Sequence, residues 1–213
     1  MSMKILEHLE FSFVERRREV GELRDWLKSH PSLGERKILG FFHQRRRLSA
    51  FIASYSPNIH RYDRIAFEYP LFGDFTCDLV VGDSAGNAYC FVEFEDADPR
   101  RLFIQRGKKA TREWSPRFDH GYSQIIDWFH KLDDMEKSSG YTARFGAATI
   151  RHSGVLIVGR DRYLNPGERE RLIWRGDNVV VASRAIKCTT FDGLAEVLQA
   201  RLETIPLSVQ AGG

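Results

Sequence analysis

Three consecutive segments with strand-like composition constrain this fold more than any other feature of the chain. Residues 64–71 (RIAFEYPL), 75–81 (FTCDLVV) and 88–95 (AYCFVEFE) are rich in aromatic and β-branched residues. The connections between them are short, and the second is the turn GDSAGN at 82–87. Connections this short join antiparallel neighbours, so the sequence predicts a three-stranded antiparallel meander.

Helical patterns lie on both sides of the meander. Apolar spacing predicts helices over residues 15–28, 33–55 and 119–135, a helix capped by Asn165 with Pro166 at its first position, and a last helix over 190–202 with Thr190 as N-cap. The continuous apolar runs at 154–158 and 178–182 predict two buried strands. This order predicts an α/β (α+β) fold: a meander followed by βα units in one mixed sheet, with an N-terminal helical extension.

Length and composition limit the class of protein. The 213 residues are 42% hydrophobic, which is enough for a packed domain and excludes a disordered chain. We expect N-terminal helices over 1–60, a core over 61–205 and a flexible tail over 206–213. No apolar run is long enough for a bilayer, no signal peptide is evident, and the three cysteines lack CxxC spacing. These features predict a cytoplasmic protein that does not contact a membrane.

Basic residues are clustered although the net charge is only +3. One cluster lies between Arg16 and Arg47, and a second lies between Arg100 and Arg117. Such clusters are typical either of a polyanion-binding surface or of a solvated helix face. Neither G-x-G-x-x-G nor a P-loop sequence is present, so no nucleotide cofactor is indicated.

Three carboxylates fall on the predicted hairpin of the second and third strands. Glu93 and Glu95 are two residues apart on one strand and therefore share a face. If the turn at 82–87 is roughly symmetric, Asp78 lies opposite or diagonal to Glu93. The alternative is that all three carboxylates lie on the solvated face of an exposed hairpin, but their apolar flanks favour a buried one.

Clustered carboxylates repel one another unless a cation joins them. Oxygen ligands of this kind suit a hard divalent ion such as Mg²⁺, and such ions promote phosphodiester cleavage. We therefore expect Asp78 and Glu93 to hold an ion, with Glu95 as a ligand of a second ion or as the base that activates water.

Several other side chains near this hairpin are candidates for contacts with nucleic acid. The phosphate-binding candidates directly follow the carboxylate strand; they are Arg100, Arg101, Lys108, Lys109 and Arg112. His120 either faces the site or is structural. Trp114 and Trp128 are interpreted as base-stacking or core residues, with the core favoured for Trp128.

The chain resembles the PD-(D/E)xK nucleases, and within them the Shedu family of antiphage nuclease domains. The matching stretches are WLKSHP at 26–31, CDLV at 77–80, FVEFE at 91–95 and YSQIIDW at 122–128. The resemblance implies a restriction-endonuclease-like core and a DNA endonuclease that uses Mg²⁺ or Mn²⁺ in bacterial phage defence. It also implies a homo-oligomer, such as a dimer or tetramer.

The resemblance also assigns residues. Asp78 and Glu93 match the metal-binding acidic pair, Gln124 matches a glutamine that orients the site or touches nucleic acid, and Glu35 matches an acidic helix residue that completes the metal shell.

Glu95 departs from the family pattern, because the usual third residue of the motif is lysine. The chain thus carries ExE in place of ExK, and Lys108 or Lys109 is a candidate replacement cation. The alternative function is a catalytically decayed nucleic-acid-binding module, or an oligomeric interaction module, of the same fold.

Overall fold

A seven-stranded mixed sheet forms the centre of the computed structural model, which describes residues 4–98 and 100–204. The strand order in the sheet is β1-β2-β3-β4-β7-β9-β8. The strands are β1 (Glu7–His8), β2 (Arg64–Leu71), β3 (Phe75–Asp83), β4 (Ala88–Phe94), β7 (Arg151–Ile157), β8 (Val180–Val181) and β9 (Arg184–Thr189). A separate two-stranded hairpin, β5 (Phe103–Ile104) and β6 (Glu113–Trp114), lies in the segment that carries the second basic cluster.

The predicted meander is confirmed, since β2, β3 and β4 pair antiparallel in sequence order. Strands β4, β7 and β9 then continue the sheet in parallel, as expected for βα units. Leu79 pairs with Val92, which places Asp78 beside Glu93. The register that the sequence left open by one residue is therefore the directly opposite one.

Within the described residues, seven α-helices cover the two faces of the sheet. They are α1 (Phe13–Ser29), α2 (Glu35–His43), α3 (Arg46–Phe51), α4 (Pro116–Met135), α5 (Ser139–Phe145), α6 (Pro166–Asn178) and α7 (Phe191–Glu203). The predicted N-caps are confirmed: the side chain of Asn165 accepts from Glu168 N–H, and that of Thr190 accepts from Gly193 N–H. Helix α5 was not predicted; its N-cap is Ser138, whose side chain accepts from Tyr141 N–H.

The single helix predicted over residues 33–55 is wrong. The segment forms α2, α3 and a 3₁₀ turn (Ile52–Tyr55), with a break at Gln44 and Arg45. Groups from α1 stabilise the break. Glu22 accepts from Arg45 Nε at 2.8 Å, and buried Glu19 accepts from Leu48 N–H at 2.8 Å. These tertiary hydrogen bonds replace the helical ones, which apolar spacing alone cannot reveal.

The buried strand predicted over 178–182 is also wrong. Only Val180 and Val181 form a strand, and this short β8 is an edge strand with Val180 exposed. Ala182 and Ser183 both have positive φ, 49° and 62°, and reverse the chain in a two-residue turn. The parallel strand next to β7 is instead β9.

Two hydrophobic cores fill the space on either side of the sheet. Helices α1, α2, α3 and α7 bury the first against one face, and α4, α5 and α6 bury the second against the other. Trp128 is fully buried in the second core, which confirms its interpretation as a core residue. Within the described residues, none of the helices combines the length and apolarity needed to cross a membrane. The predicted tail at 206–213 lies outside the described residues.

Candidate active site

A kink in the sheet determines where Asp78 lies. Glu68, in the middle of β2, has a φ of 44°, in the left-handed region. Phe67 belongs to the first core and Tyr69 to the second, although residues two apart in a regular strand point to the same face. The alternation of side chains between the two faces is therefore interrupted at Glu68. On β3 the same interruption occurs at Asp78, since Cys77 belongs to the second core and Leu79 to the first. The Asp78 carboxylate then accepts a 2.8 Å hydrogen bond from Phe94 N–H, which fixes it beside β4.

Asp78 and Glu93 form a pair of adjacent carboxylates. Glu93 is 7% exposed and Asp78 is half-buried, and the two residues lie opposite each other on β3 and β4. Burial raises the pKa of Asp78, while the Phe94 N–H opposes that shift. Burial, and then the charges of Asp78, Glu95 and Glu35, raise the pKa of Glu93 far above its usual range. Two carboxylates this close repel each other unless a proton or a cation lies between them.

Glu95 contacts a cation that sequence reasoning missed. Arg117, in the first turn of α4, forms ion pairs with both Glu95 and Glu35. Its Nη2 donates a hydrogen bond to Glu35, whereas its Nε contacts the Glu95 carboxylate as an ion pair without the geometry of a hydrogen bond. Glu95 is 1% exposed; burial raises its pKa to about 7, with Arg117 opposing the shift. The only signal in the sequence was an arginine two residues after Ser115, the N-cap of α4.

Glu35 reaches this cluster because the start of α2 is bound to the end of β4. The N-cap of α2 is Gly34, which has no side chain to cap the helix. Asp96 supplies the cap instead, since its Oδ1 accepts from Glu35 N–H at 2.8 Å. Ala97 N–H also donates to Leu33 O at 2.9 Å. Glu35 therefore lies close enough to the carboxylate cluster to share Arg117 with Glu95, and its role in a metal shell stays a prediction.

Helix α4 covers the carboxylates at very short range. A Cβ added to Gly121 would lie 2.8 Å from Leu156 Cδ1 and 3.1 Å from Glu95 Cγ and Oε1. Gln124 lies one turn further along α4 and is half-buried. Its Oε1 is buried and has no hydrogen-bond partner among the described residues.

The basic candidates divide into two groups. Arg101 pairs with Asp96 at 3.0 Å, Lys109 pairs with Glu113, and Arg112 pairs with buried Glu168 and donates to Tyr163 O at 3.0 Å. The Lys109 contact is internal to the β5–β6 hairpin, whereas the contacts of Arg112 hold the hairpin against the rest of the domain. Arg100 and Lys108 are exposed and have no ion pair within residues 4–98 and 100–204.

The other candidates from the sequence are Lys109 as a replacement cation, His120 and Trp114. Lys109 binds Glu113, and the cation that contacts Glu95 is Arg117. His120 is exposed. Trp114 is half-buried and stacks on Phe118 with ring centroids 4.3 Å apart.

The chemistry of the carboxylates indicates how many could share an ion. In the part of the chain that the structure describes, no three His, Cys, Asp or Glu side chains are grouped as metal ligands. Glu95 and Glu35 are already compensated by Arg117. Asp78 and Glu93 are adjacent carboxylates that repel each other when both are charged, which fits one hard ion that keeps several waters.

Comparison with known protein families gives one match. Residues 32–195, more than half of the chain, match the model of the family described as "Shedu protein SduA, C-terminal". The matched range contains every carboxylate of the site and Arg117. A comparison with curated proteins found no match.

Proposed function

Since the chain belongs to the Shedu protein SduA C-terminal family, we propose that it is a metal-dependent DNA endonuclease domain with its active site at Asp78 and Glu93. Membership in the family implies an antiphage defence context. One observation carries the proposal: half-buried Asp78 and buried Glu93 lie opposite each other on neighbouring strands, where a divalent ion would remove the repulsion between the two carboxylates. The proposed partners are DNA and further copies of the chain.

Asp78 and Glu93 would hold Mg²⁺ or Mn²⁺. When bound there, such an ion supplies charge to the phosphate oxygens and lowers the pKa of a coordinated water. Phe94 N–H holds the Asp78 carboxylate in a fixed orientation, so little rearrangement is needed for binding.

Glu95 would act as the proton acceptor for the attacking water. Its pKa of about 7 suits a base that works near neutral pH. Arg117 is a positioning residue in this proposal, because it holds Glu95 in place and favours its charged form. The chain's own residues thus supply both the base and the cation in a site that lacks the motif lysine.

Thermal melting and DNA nicking test the proposal together. We expect the wild-type protein to nick supercoiled DNA in the presence of Mg²⁺ or Mn²⁺. Addition of EDTA should abolish this nicking. The Glu93→Gln variant should lose at least about 100-fold in rate, since even outer-shell partners of metal ligands contribute roughly 10- to 100-fold. Mg²⁺ should raise the melting temperature of the wild type and leave that of Glu93→Gln unchanged.

The matched control is Asp25→Asn, which removes an exposed carboxylate that pairs only with Lys28. It should nick DNA and respond to Mg²⁺ as the wild type does. Salt-dependent DNA binding without metal-linked melting or cleavage would instead identify a non-catalytic nucleic-acid-binding module.

A further inference from the structure

A cavity lies beside the start of β2, toward the opposite end of the sheet from the carboxylates. It has a volume of about 700 Å³, within the usual range for small-molecule sites. Asp63 lines the cavity, and Arg64 beside it is the strand partner of Gly82 on β3, which is in turn the strand partner of Tyr89 on β4. Tyr89 precedes Glu93 by four residues, a spacing of about 13 Å along β4. The cavity and the carboxylates therefore lie near opposite ends of these strands.

A buried arginine lines this cavity without a full set of partners. Arg16 of α1 is 4% exposed, and its Nε has no hydrogen-bond partner among the described residues. Its guanidinium lies 4.6 Å from the ring centroids of Phe11 and Phe51 and 5.1 Å from that of Tyr62. Burial lowers the pKa of Arg16 to about 10, as expected for a cation that is poorly compensated.

A second polar atom in the lining is also unpaired. The hydroxyl of Ser54 is buried and has no hydrogen-bond partner in the described part of the chain. Buried polar groups in folded proteins usually have hydrogen-bond partners, and these two unpaired groups line the same cavity, where a ligand can pair with both.

The rest of the lining defines the chemistry of that ligand. Arg61 and Arg201 add two more cations. Of the two carboxylates present, that of Asp63 accepts from Ser84 N–H at 2.9 Å and from its hydroxyl at 2.5 Å, which leaves exposed Glu10. Leu9, Phe11 and Tyr62 supply an apolar wall.

The loop that carries Arg61 and Tyr62 is held in place. Asp83 Oδ2 accepts from His60 N–H at 2.9 Å and from Arg61 N–H at 3.0 Å. The wall of the cavity is therefore largely formed in advance, which reduces the entropic cost of binding.

We propose that this cavity binds a small organic anion, with a phosphate or carboxylate head on Arg16 and Ser54 and a ring-sized apolar body against Leu9, Phe11 and Tyr62. The ligand is small because Arg16 lies inside the cavity, where phosphates on the outside of a duplex cannot reach it. The site is separate from the proposed phosphodiester site and does not depend on that function.

Titration calorimetry of the full chain tests the proposal with phenyl phosphate and benzoate as probes, in EDTA and in the Glu93→Gln background. We expect one of the two probes to bind at a single site, and the tighter one identifies the head group. Inorganic phosphate and benzyl alcohol, which each carry half of the proposed ligand, should bind at least about tenfold more weakly.

Arg16→Met keeps the length and apolar stem of the side chain and removes the charge. It should weaken binding at least about tenfold, since hydrogen bonds to charged groups contribute roughly 1.5–3 kcal/mol. The control is Arg17→Met, which removes the neighbouring exposed charge and should not change binding. If Arg16→Met does not fold, Ser54→Ala and Arg61→Met serve instead, and each should weaken binding severalfold.

Three results would overturn the proposal. The first is that neither probe binds, and the second is that the variants of Arg16, Ser54 and Arg61 bind the probe as tightly as the wild type does. The third is that only a DNA oligonucleotide binds at this end of the sheet, in which case the cavity is part of a nucleic-acid surface.

Discussion

At the scale of single residues, Arg117 supplies the positive charge that opposes the effect of burial on Glu95. A guanidinium presents several donors in one plane and can bind two carboxylates at once, as Arg117 does with Glu95 and Glu35. A lysine ammonium is a point charge and could not reproduce both contacts. Of the candidate replacement cations, Lys109 binds Glu113, whereas Arg117 contacts Glu95 through the tertiary approach of α4 to β4, which no local sequence pattern reveals.

Substitution of Arg117 tests its role as a positioning residue. We expect Arg117→Met to reduce metal-dependent nicking at least about tenfold, because Glu95 loses the charge that orients it. Arg117→Lys should recover part of that loss by keeping one charge near Glu95. The control is Arg106→Met, since Arg106 pairs with Glu113 on the β5–β6 hairpin. Wild-type nicking by Arg117→Met would show that Glu95 needs no cation.

His152 gives the fold a dependence on pH that is independent of the candidate active site. The ring lies between Phe91 and Phe129, and burial, followed by the charge of Arg184, lowers its pKa to about 4. Asp133, 3.8 Å away, opposes the shift only in part. The folded state therefore binds fewer protons than the unfolded state between pH 4 and about 6.5.

Stability should therefore fall as the pH decreases through this window. We expect a loss of about 2–3 kcal/mol in the free energy of unfolding between pH 7 and pH 4 from His152 alone. Urea unfolding at several pH values measures it, and His152→Gln should show a correspondingly smaller decrease. Parallel pH curves for the two proteins would assign the dependence to other groups.

At the scale of elements, the sequence predicted what local chemistry determines. The meander, the helix caps at Asn165 and Thr190 and the convergence of Asp78 with Glu93 follow from alternation, turn residues and short connections. Strand β9 was missed because its segment, RAIKCT, is mostly half-buried and carries no apolar run. The kink at Glu68 depends on one left-handed residue in a strand, for which no sequence pattern exists.

Helix α4 packs closely against Leu156 of β7 and against Glu95 at Gly121, where the absence of a side chain leaves room for both. We expect Gly121→Ala to destabilise the protein by about 1–3 kcal/mol, as overpacking in a core does, and to reduce nicking by displacing Glu95. Gly140→Ala is the matched control, because nothing lies within 4 Å of an added Cβ in the first turn of α5. That variant should be as stable as the wild type or slightly more so. Equal effects of the two substitutions on the melting temperature would contradict this account of the helix packing.

At the scale of the whole molecule, the N-terminal helices and the sheet share one hydrophobic core. Phe42 of α2 stacks on Phe94 of β4 with centroids 4.5 Å apart, and α1 packs in the same cluster. Arg160, buried after β7, donates to Leu27 O at 2.8 Å and to His30 O at 2.6 Å. It also pairs with Asp192 of α7 at 2.9 Å. One guanidinium thus connects the end of α1 to the parallel half of the sheet and to α7.

The division between residues 1–60 and 61–205 is therefore expected to be one of sequence and not of stability. Removal of 1–60 would uncover the sheet face that carries Phe67, Leu79 and Phe94, so the remaining chain should aggregate or lack a cooperative melting transition.

In the full chain, amides of α1 and α4 should exchange with solvent at a common free energy of opening, because both helices require the same sheet. Hydrogen exchange measures this, with Arg160→Met as the perturbation; loss of its buried contacts should lower protection in both helices by about 3–5 kcal/mol. If protection falls only in α1, or if residues 61–204 alone fold cooperatively, the N-terminal helices are a separable unit and recognition functions could reside in them independently of the site.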